Sequence, residues 1–255
     1  MLGKKVHYFS TVDSTNDIAF SLAQEGAAEG VLVIAEKQLK GQGSRGRKWF
    51  SPPGGLWFSL VLRPSISSIE NARIYPLIGA LAVVEAVCEM LPDCPAYFCW
   101  PNDAAIKGKK IAGAMCKVKL NGGKPDFVIL GIGVNLNIES FPSFLKGTAT
   151  SIFLETRRKI SPASFLNCLL EKLEEIYLFP KNSGLVIKQK IEEFFPFLGK
   201  PIRFVTFEKE ITGCIQGIDE RGNLVVETQT GSKEILTPEQ TYLIDSLMRE
   251  NEFSD

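Results

Sequence analysis

The run Gly41-Gln42-Gly43-Ser44-Arg45-Gly46-Arg47-Lys48-Trp49 gathers groups suited to holding an anion. Its three glycines let the backbone adopt positive φ and bring N–H groups close to a ligand. Arg45, Arg47 and Lys48 can neutralise phosphate oxygens, the guanidinium groups in bidentate fashion. Trp49 offers a face on which a base or a guanidinium can stack. The spacing is not that of a Walker loop, and its glycines do not open a helix as a dinucleotide fingerprint would. A solvated turn can have the same composition, so this run alone assigns no ligand.

Four other segments carry small, amide-bearing or charged residues. Ser14-Thr15-Asn16 stands at a helix start, where capping alone would also explain it. Trp100-Pro101-Asn102-Asp103 closes an apolar strand and projects an amide and a carboxylate from its end, although Asn-Asp after Pro is also good turn chemistry. Lys109-Lys110-Ile111-Ala112-Gly113-Ala114 sets small residues beside lysines at a strand start. Gly131-Ile132-Gly133-Val134-Asn135-Leu136-Asn137 puts two glycines in a strand, which often marks close approach of a ligand or another backbone. None of these segments offers a nucleophile activated by a base. The set suits a reaction run by positioning and electrostatics, such as attack on a phosphate.

The elements that must position these groups read as α+β. Strands are predicted at residues 4–9, 30–35, 56–62, 96–100, 110–120 and 126–137, with helices at 17–25, 70–91 and 161–178. Residues 101–103 read as a turn, and Asn121-Gly122-Gly123 as a hairpin turn. After Phe197 only short strands and turns follow, which predicts a small antiparallel β-barrel. The chain thus divides into residues 1–197 and 198–255, the last ten residues forming a frayed tail.

Composition removes several classes of function. Lys plus Arg and Asp plus Glu number 29 each among 255 residues, so there is no global basic field for nucleic acid. No apolar run is long enough to span a bilayer, and the start lacks the apolar core of a signal peptide. The six cysteines form no CxxC pair and read as buried thiols in a reducing compartment. With His7 as the only histidine, neither a zinc site nor a His-assisted nucleophile is expected; His7 reads as an exposed strand residue.

Taken together, the Ser-Thr-Asn segment, a GxGxxGRxW loop, WPND, KxAG and GxGxN follow one another in the order and spacing of biotin–protein ligases. The chain resembles that family over essentially its whole length. The resemblance implies a catalytic domain of mixed sheet and several helices, followed by the small barrel. It implies formation of biotinyl-5′-AMP from biotin and ATP with Mg²⁺, then transfer of biotin to one lysine of a carboxylase's biotin-carrier domain. Carried over by position, Ser14, Thr15, Asn16, Gln38, Gln42, Gly43, Ser44, Lys110 and Gly113 surround biotin. Arg45, Arg47, Trp49, Asn102 and Asn135 face the adenylate. Lys110 would offset charge on the biotin carboxylate and α-phosphate, and Asp103 would meet the acceptor lysine. No residue is implied as a metal ligand.

A cytoplasmic enzyme is implied, and the family's edge-to-edge sheet association leaves a homodimer open. Only about thirteen residues precede Ser14, so the DNA-binding domain of some members is not expected here. Two readings stand beside this one: a lipoate or octanoate ligase or transferase on the same fold, and a non-catalytic biotin-binding regulator. The chain departs from the family pattern at Gln42 and Ser44, where arginines are usual, and at Cys99, where lysine is common. The missing cations predict weaker retention of the adenylate and a looser loop.

Overall fold

The computed structural model describes residues 2–64, 69–178, 184–206, 210–238 and 241–243. The N-terminal half alternates strands with two helices. β1 is Lys5–Val12, α1 Thr15–Gln24, β2 Val31–Gln38 and β3 Leu56–Leu62. A 3₁₀ turn at Ile69–Arg73 leads into α2, Ile74–Met90. β4 is Tyr97–Cys99, β5 Asp103–Ile106, β6 Lys109–Asn121 and β7 Lys124–Val134. α3 is Ile152–Thr156, α4 Pro162–Tyr177 and α5 Gly184–Glu193. Five short strands end the described chain: β8 Pro201–Thr206, β9 Glu210–Ile218, β10 Leu224–Thr228, β11 Lys233–Leu236 and β12 Thr241–Leu243.

The first seven strands form one mixed sheet in the order β1-β2-β3-β7-β6-β5-β4. β1 and β2 run parallel because α1 crosses between them; every other pair is antiparallel. Side chains alternate between its two faces. Leu56, Phe58, Leu60 and Leu62 of β3 join Val128, Leu130, Ile132 and Val134 of β7 on the face covered by α2 and α4. α2 is buried on nearly every side, as its all-round apolar sequence requires. Pro76 falls in its first turn, where the missing N–H has no helical partner to lose. On the opposite face Val31, Val33, Val61, Phe127 and Ile129 pack beneath Ala19 and Ala23 of α1. A fully buried side chain of this size contributes about 1.5–3 kcal/mol, so both faces are firmly held. That second face continues into glycines 131 and 133, where the ligand motifs collect.

Several expectations need correction. The short strand β5 starts where a turn is predicted to end. Its hairpin signal lies further on, at Lys107 (φ 47°) and Gly108 (φ 74°), whose paired positive φ values make the two-residue turn into β6. The predicted helix 70–91 is a 3₁₀ turn and then α2. α3, α5 and β12 are absent from the sequence reading because each is short or weakly patterned. α3 is nonetheless well started, with Ser151 Oγ accepting from Leu154 N at 3.0 Å.

The C-terminal strands form an antiparallel sheet in the order β11-β10-β9-β8-β12. It is not closed as a barrel: among the described residues no pairing joins β11 to β12. Four- and three-residue strands leave little edge to close the ring. Nor is this sheet a separate globule, since Ile202, Phe204, Ile215 and Leu224 share one hydrophobic cluster with α2 and α4. Trp100 Nε1 donates to Gly222 O at 2.8 Å across that join. The tail at 246–255 lies outside the described residues.

None of the six cysteines forms a disulfide. Cys94 and Cys99 are buried, Cys88, Cys116 and Cys168 half-buried, and Cys214 exposed, contrary to the expectation of uniformly buried thiols. β9 explains it: its alternation places Ile215 inward and Cys214 outward. His7 is half-buried on β1 rather than exposed. Among the described residues no helix is long and apolar enough to cross a membrane.

Candidate active site

The site is assembled on the glycine-bearing part of the sheet. Gly113 of β6 pairs with Gly133 of β7, and Met115 with Gly131. A methyl group added at residue 131 would sit 2.2 Å from Asn16 Oδ1, and one at residue 133 would sit 2.5 Å from Trp49 Nε1. The strand glycines therefore do admit close approach, but what approaches in this structure is the chain's own Asn16 and Trp49.

From α1 a polar relay runs across this floor. Ser59 Oγ lies 2.8 Å from both Thr15 Oγ1 and Asn16 Oδ1. Thr15 donates to Gln38 Oε1 from its backbone N (2.8 Å) and from its hydroxyl (3.1 Å). Gln38 Nε2 then donates to Ser51 Oγ (2.9 Å), which donates to Trp49 O (3.2 Å). Each donor in this series fixes the next group's orientation, so the cleft wall is preorganised. Ser59 and Ser51 are absent from the sequence reading. The signal for Ser59 is a single hydroxyl inside the otherwise apolar run Leu56–Leu62, a polar group that burial obliges to find a partner.

At the other end of the cleft, Lys110 Nζ stands 2.6 Å from Asp103 Oδ1, with side-chain exposures of 22% and 13%. The ammonium also lies 4.9 Å from the centre of the Trp49 ring, within cation–π range. Gly113 makes room for the pair: a methyl there would meet Asp103 Oδ1 at 3.1 Å and Lys110 Nζ at 3.2 Å. The Cys99 thiol, which occupies the position before Trp100, is pushed well up by burial and then by Asp103, so it carries no charge here. Two buried polar atoms on the cleft, Ser14 Oγ and Trp49 Nε1, have no hydrogen-bond partner. Such atoms are costly unless a ligand or water completes them.

The glycine loop is tied at its base by Trp49 N to Gly41 O and by Gly43 N to Arg47 O, both 2.8 Å. Gly41 is obligatory, because a methyl there would fall 2.4 Å from Ser51 Oγ and from Trp49 O. At the tip Arg45 adopts φ 59° in a 3₁₀ turn.

The cations do not point into the cleft. Arg45 donates to Pro238 O of the C-terminal sheet. Arg47 folds back on Ser44, with Nη2 at 3.1 Å from Ser44 Oγ. Asn102 and Asn135 are likewise engaged with the chain itself. Asn102 Nδ2 donates to Ala114 O (2.5 Å) and Asn135 Nδ2 to Thr150 O (2.9 Å). The structure thus gathers Ser14, Thr15, Asn16, Gln38, Trp49, Asp103, Lys110 and Gly113 around one cleft, and leaves Arg45 and Arg47 outside it. Two open hollows lie elsewhere. One, of about 590 Å³, is bordered by Lys188, Arg221 and Lys233; the other, of about 340 Å³, by Lys109, Lys146 and Arg157. Among the described residues no group of three or more His, Cys, Asp or Glu could hold a metal ion.

A mixed sheet with a glycine floor thus carries a cation–carboxylate pair with a tryptophan ring over the cation. Comparison with known proteins gives the family. Residues 8–135 match the biotin/lipoate A/B protein ligase family, and residues 197–237 match the biotin protein ligase C-terminal domain. The chain belongs to this family. It is 35% identical to the bifunctional ligase/repressor BirA of Bacillus spizizenii, over 92% of this chain and 73% of that protein. With a biotin–[acetyl-CoA-carboxylase] ligase of Paracoccus denitrificans it shares 31% identity, over 88% of this chain and 94% of that one. The fold superposes on a biotin protein ligase from Aquifex aeolicus, solved with biotin and ATP, with a TM-score of 0.81 at 30% identity, covering 94% of this chain and 99% of that one.

Proposed function

We infer that the chain activates biotin with ATP to biotinyl-5′-AMP and transfers the biotinyl group to a lysine of a biotin-carrier domain. The observation that carries this is the Lys110–Asp103 pair, 2.6 Å apart at the end of a cleft whose other wall is the Thr15–Gln38 relay. Biotin's carboxylate is ionised at neutral pH and needs no base to attack the α-phosphorus; the carboxylate O–P bond forms as the α-phosphorus–oxygen bond to pyrophosphate breaks, and pyrophosphate leaves. What the carboxylate needs is a cation where negative charge meets negative charge, and Lys110 is the cation on the cleft. Thr15, Asn16 and Gln38 offer both donors and acceptors to the neutral ring end of the acid. Trp49 Nε1 and its ring face the position of the nucleotide, and Arg45 and Arg47 would join it on loop rearrangement. Mg²⁺ would come with ATP and offset charge on its phosphates, since Asp103 at the cleft is paired with Lys110.

In the second step an incoming lysine must lose a proton. Asp103, once Lys110 turns to the adenylate, is placed to accept a hydrogen bond from that amine. The bond formed is amide N–C, the bond broken is C–O to AMP, and the proton leaves with solvent or with Asp103.

Residues 1–197 supply the chemistry, and Pro238 and Gly222 of the C-terminal part brace the loop and the Trp100 strand end. We place the enzyme in the cytoplasm. β5 pairs with β6 only as far as Gly113, and we propose that beyond Ala114, whose N and O are taken by Asn102, this edge of β6 receives an acceptor strand or a second copy of this chain. Mass spectrometry of a biotin-carrier domain after incubation with the protein, ATP, Mg²⁺ and biotin tests the reading, and a mass gain of one biotinyl group is expected. Pyrophosphate–ATP exchange that depends on lipoate or octanoate instead of biotin would overturn it.

A further inference from the structure

Gln42 stands where a guanidinium is usual, yet it is not idle. Its Nε2 donates to Asp17 Oδ2 at 2.9 Å, while Lys117 Nζ holds the other oxygen of the same carboxylate at 2.6 Å. Asp17 lies in the first turn of α1, directly after Ser14-Thr15-Asn16. Lys117 lies on β6, on the same face as Gly113 and Met115. One carboxylate therefore joins the glycine loop, the helix that carries the cleft wall and the strand that carries its floor. The acid is also favoured where it stands, at the positive end of a helix.

From this juxtaposition we propose that Asp17 is a positioning residue that clasps the glycine loop shut before any ligand arrives. Gln42 is its partner on the loop, and Lys117 orients the carboxylate. The proposal rests on the biotin-ligase reading for its consequence but not for its physical test. The Gln42 amide bonds to Asp17 with no anionic ligand between them, so this chain closes its loop by an internal contact. Lys117 offsets the charge of Asp17, so the clasp adds no net negative charge beside the loop. Biotin should consequently meet a largely formed pocket and gain less loop ordering on binding than the missing arginines would suggest.

Trypsin reads the clasp in the ligand-free protein, because Arg45, Arg47 and Lys48 lie exposed on the loop. With the clasp intact, nicking after these residues is slow. Asp17→Ala and Gln42→Ala should each raise its initial rate about two- to fivefold, the range of one exposed charge-assisted contact. The double variant should be no faster than the quicker single one, because both remove the same contact. Asp17→Asn keeps an acceptor for Gln42 and should stay within about twofold of the parent. In adenylation assays Asp17→Ala should raise the KM for biotin while leaving kcat nearly unchanged.

Nicking of both single variants at the parent rate would overturn the clasp, and so would effects that multiply in the double variant. Failure of the parent protein to adenylate any acid would instead refute the ligase reading, and would leave the nicking result standing.

Discussion

Replacing Lys110 by alanine separates the ion pair that the structure shows from the catalytic role proposed for the same ammonium. Its partner Asp103 is 13% exposed, and Asp103 Oδ1 has no hydrogen-bond partner besides the 2.6 Å ion pair. Removing the cation strands a mostly buried carboxylate. Breaking a fully buried pair costs about 3–5 kcal/mol, and this pair keeps some contact with solvent, so about 2–3 kcal/mol is expected. In a chain of this size that lowers Tm by roughly 5–10 °C. The expectation from sequence alone, an inactive but otherwise undisturbed variant, thus gives way to one that is also less stable. Catalysis loses a charge-assisted contact to the reacting oxygens, about 2–4 kcal/mol or two to three decades in single-turnover adenylation. The double variant Lys110→Ala with Asp103→Ala removes the stranded charge, so most of the Tm should return while adenylation stays low. Thermal melts and single-turnover formation of biotinyl-AMP measure the two effects. A single variant as stable as the parent refutes the ion pair, and a double variant that adenylates normally refutes the catalytic role.

Three further outcomes are expected. Gly131→Ala drives a methyl to 2.2 Å from Asn16 Oδ1, so Asn16 must leave the Ser59 contact; the KM for biotin should rise about tenfold or more, read by pyrophosphate exchange. Trp100→Phe removes the donor to Gly222 O and should cost about 1 kcal/mol of stability in urea titrations, with unchanged stability refuting the join. Iodoacetamide at neutral pH should label exposed Cys214 first and Cys99 only on unfolding, because burial raises the Cys99 thiol far above that pH; mass spectrometry of timed samples reads the order.

The parts of the fold that are legible in sequence are those with strong local pattern. The apolar β3 run and the all-round apolar α2 could hardly be anything else, and strand glycines 131 and 133 correctly flag a close approach. What approaches them was not legible, because Asn16 and Trp49 arrive from 115 and 84 residues away, by difference of residue number. The same holds for Asp17 and Lys117, exposed charges whose types carry no signal until α1 is laid on the sheet. Arg45 and Arg47 show the converse. Their chemistry is plain in sequence, but the partners they take in the fold, Pro238 O and Ser44, are not. Barrel closure was overread because short strands and turns look alike whether or not the last edge finds the first.

The Trp100–Gly222 contact bears on how freely the C-terminal sheet can be exchanged. Its turn is built by Asp219, which accepts from Arg221 N and Asn223 N, and Gly222 at φ 82° sits where a methyl would be 2.6 Å from Leu77 Cδ2. The indole that reaches this turn belongs to the residue three before Asp103. A chimaera that takes its C-terminal sheet from a relative must therefore bring a glycine and an open carbonyl to this one spot. Without them it misplaces the strand end that leads to Asp103, however well the remaining surfaces fit. In recombination the two halves behave as a matched pair, with their compatibility written in a single turn.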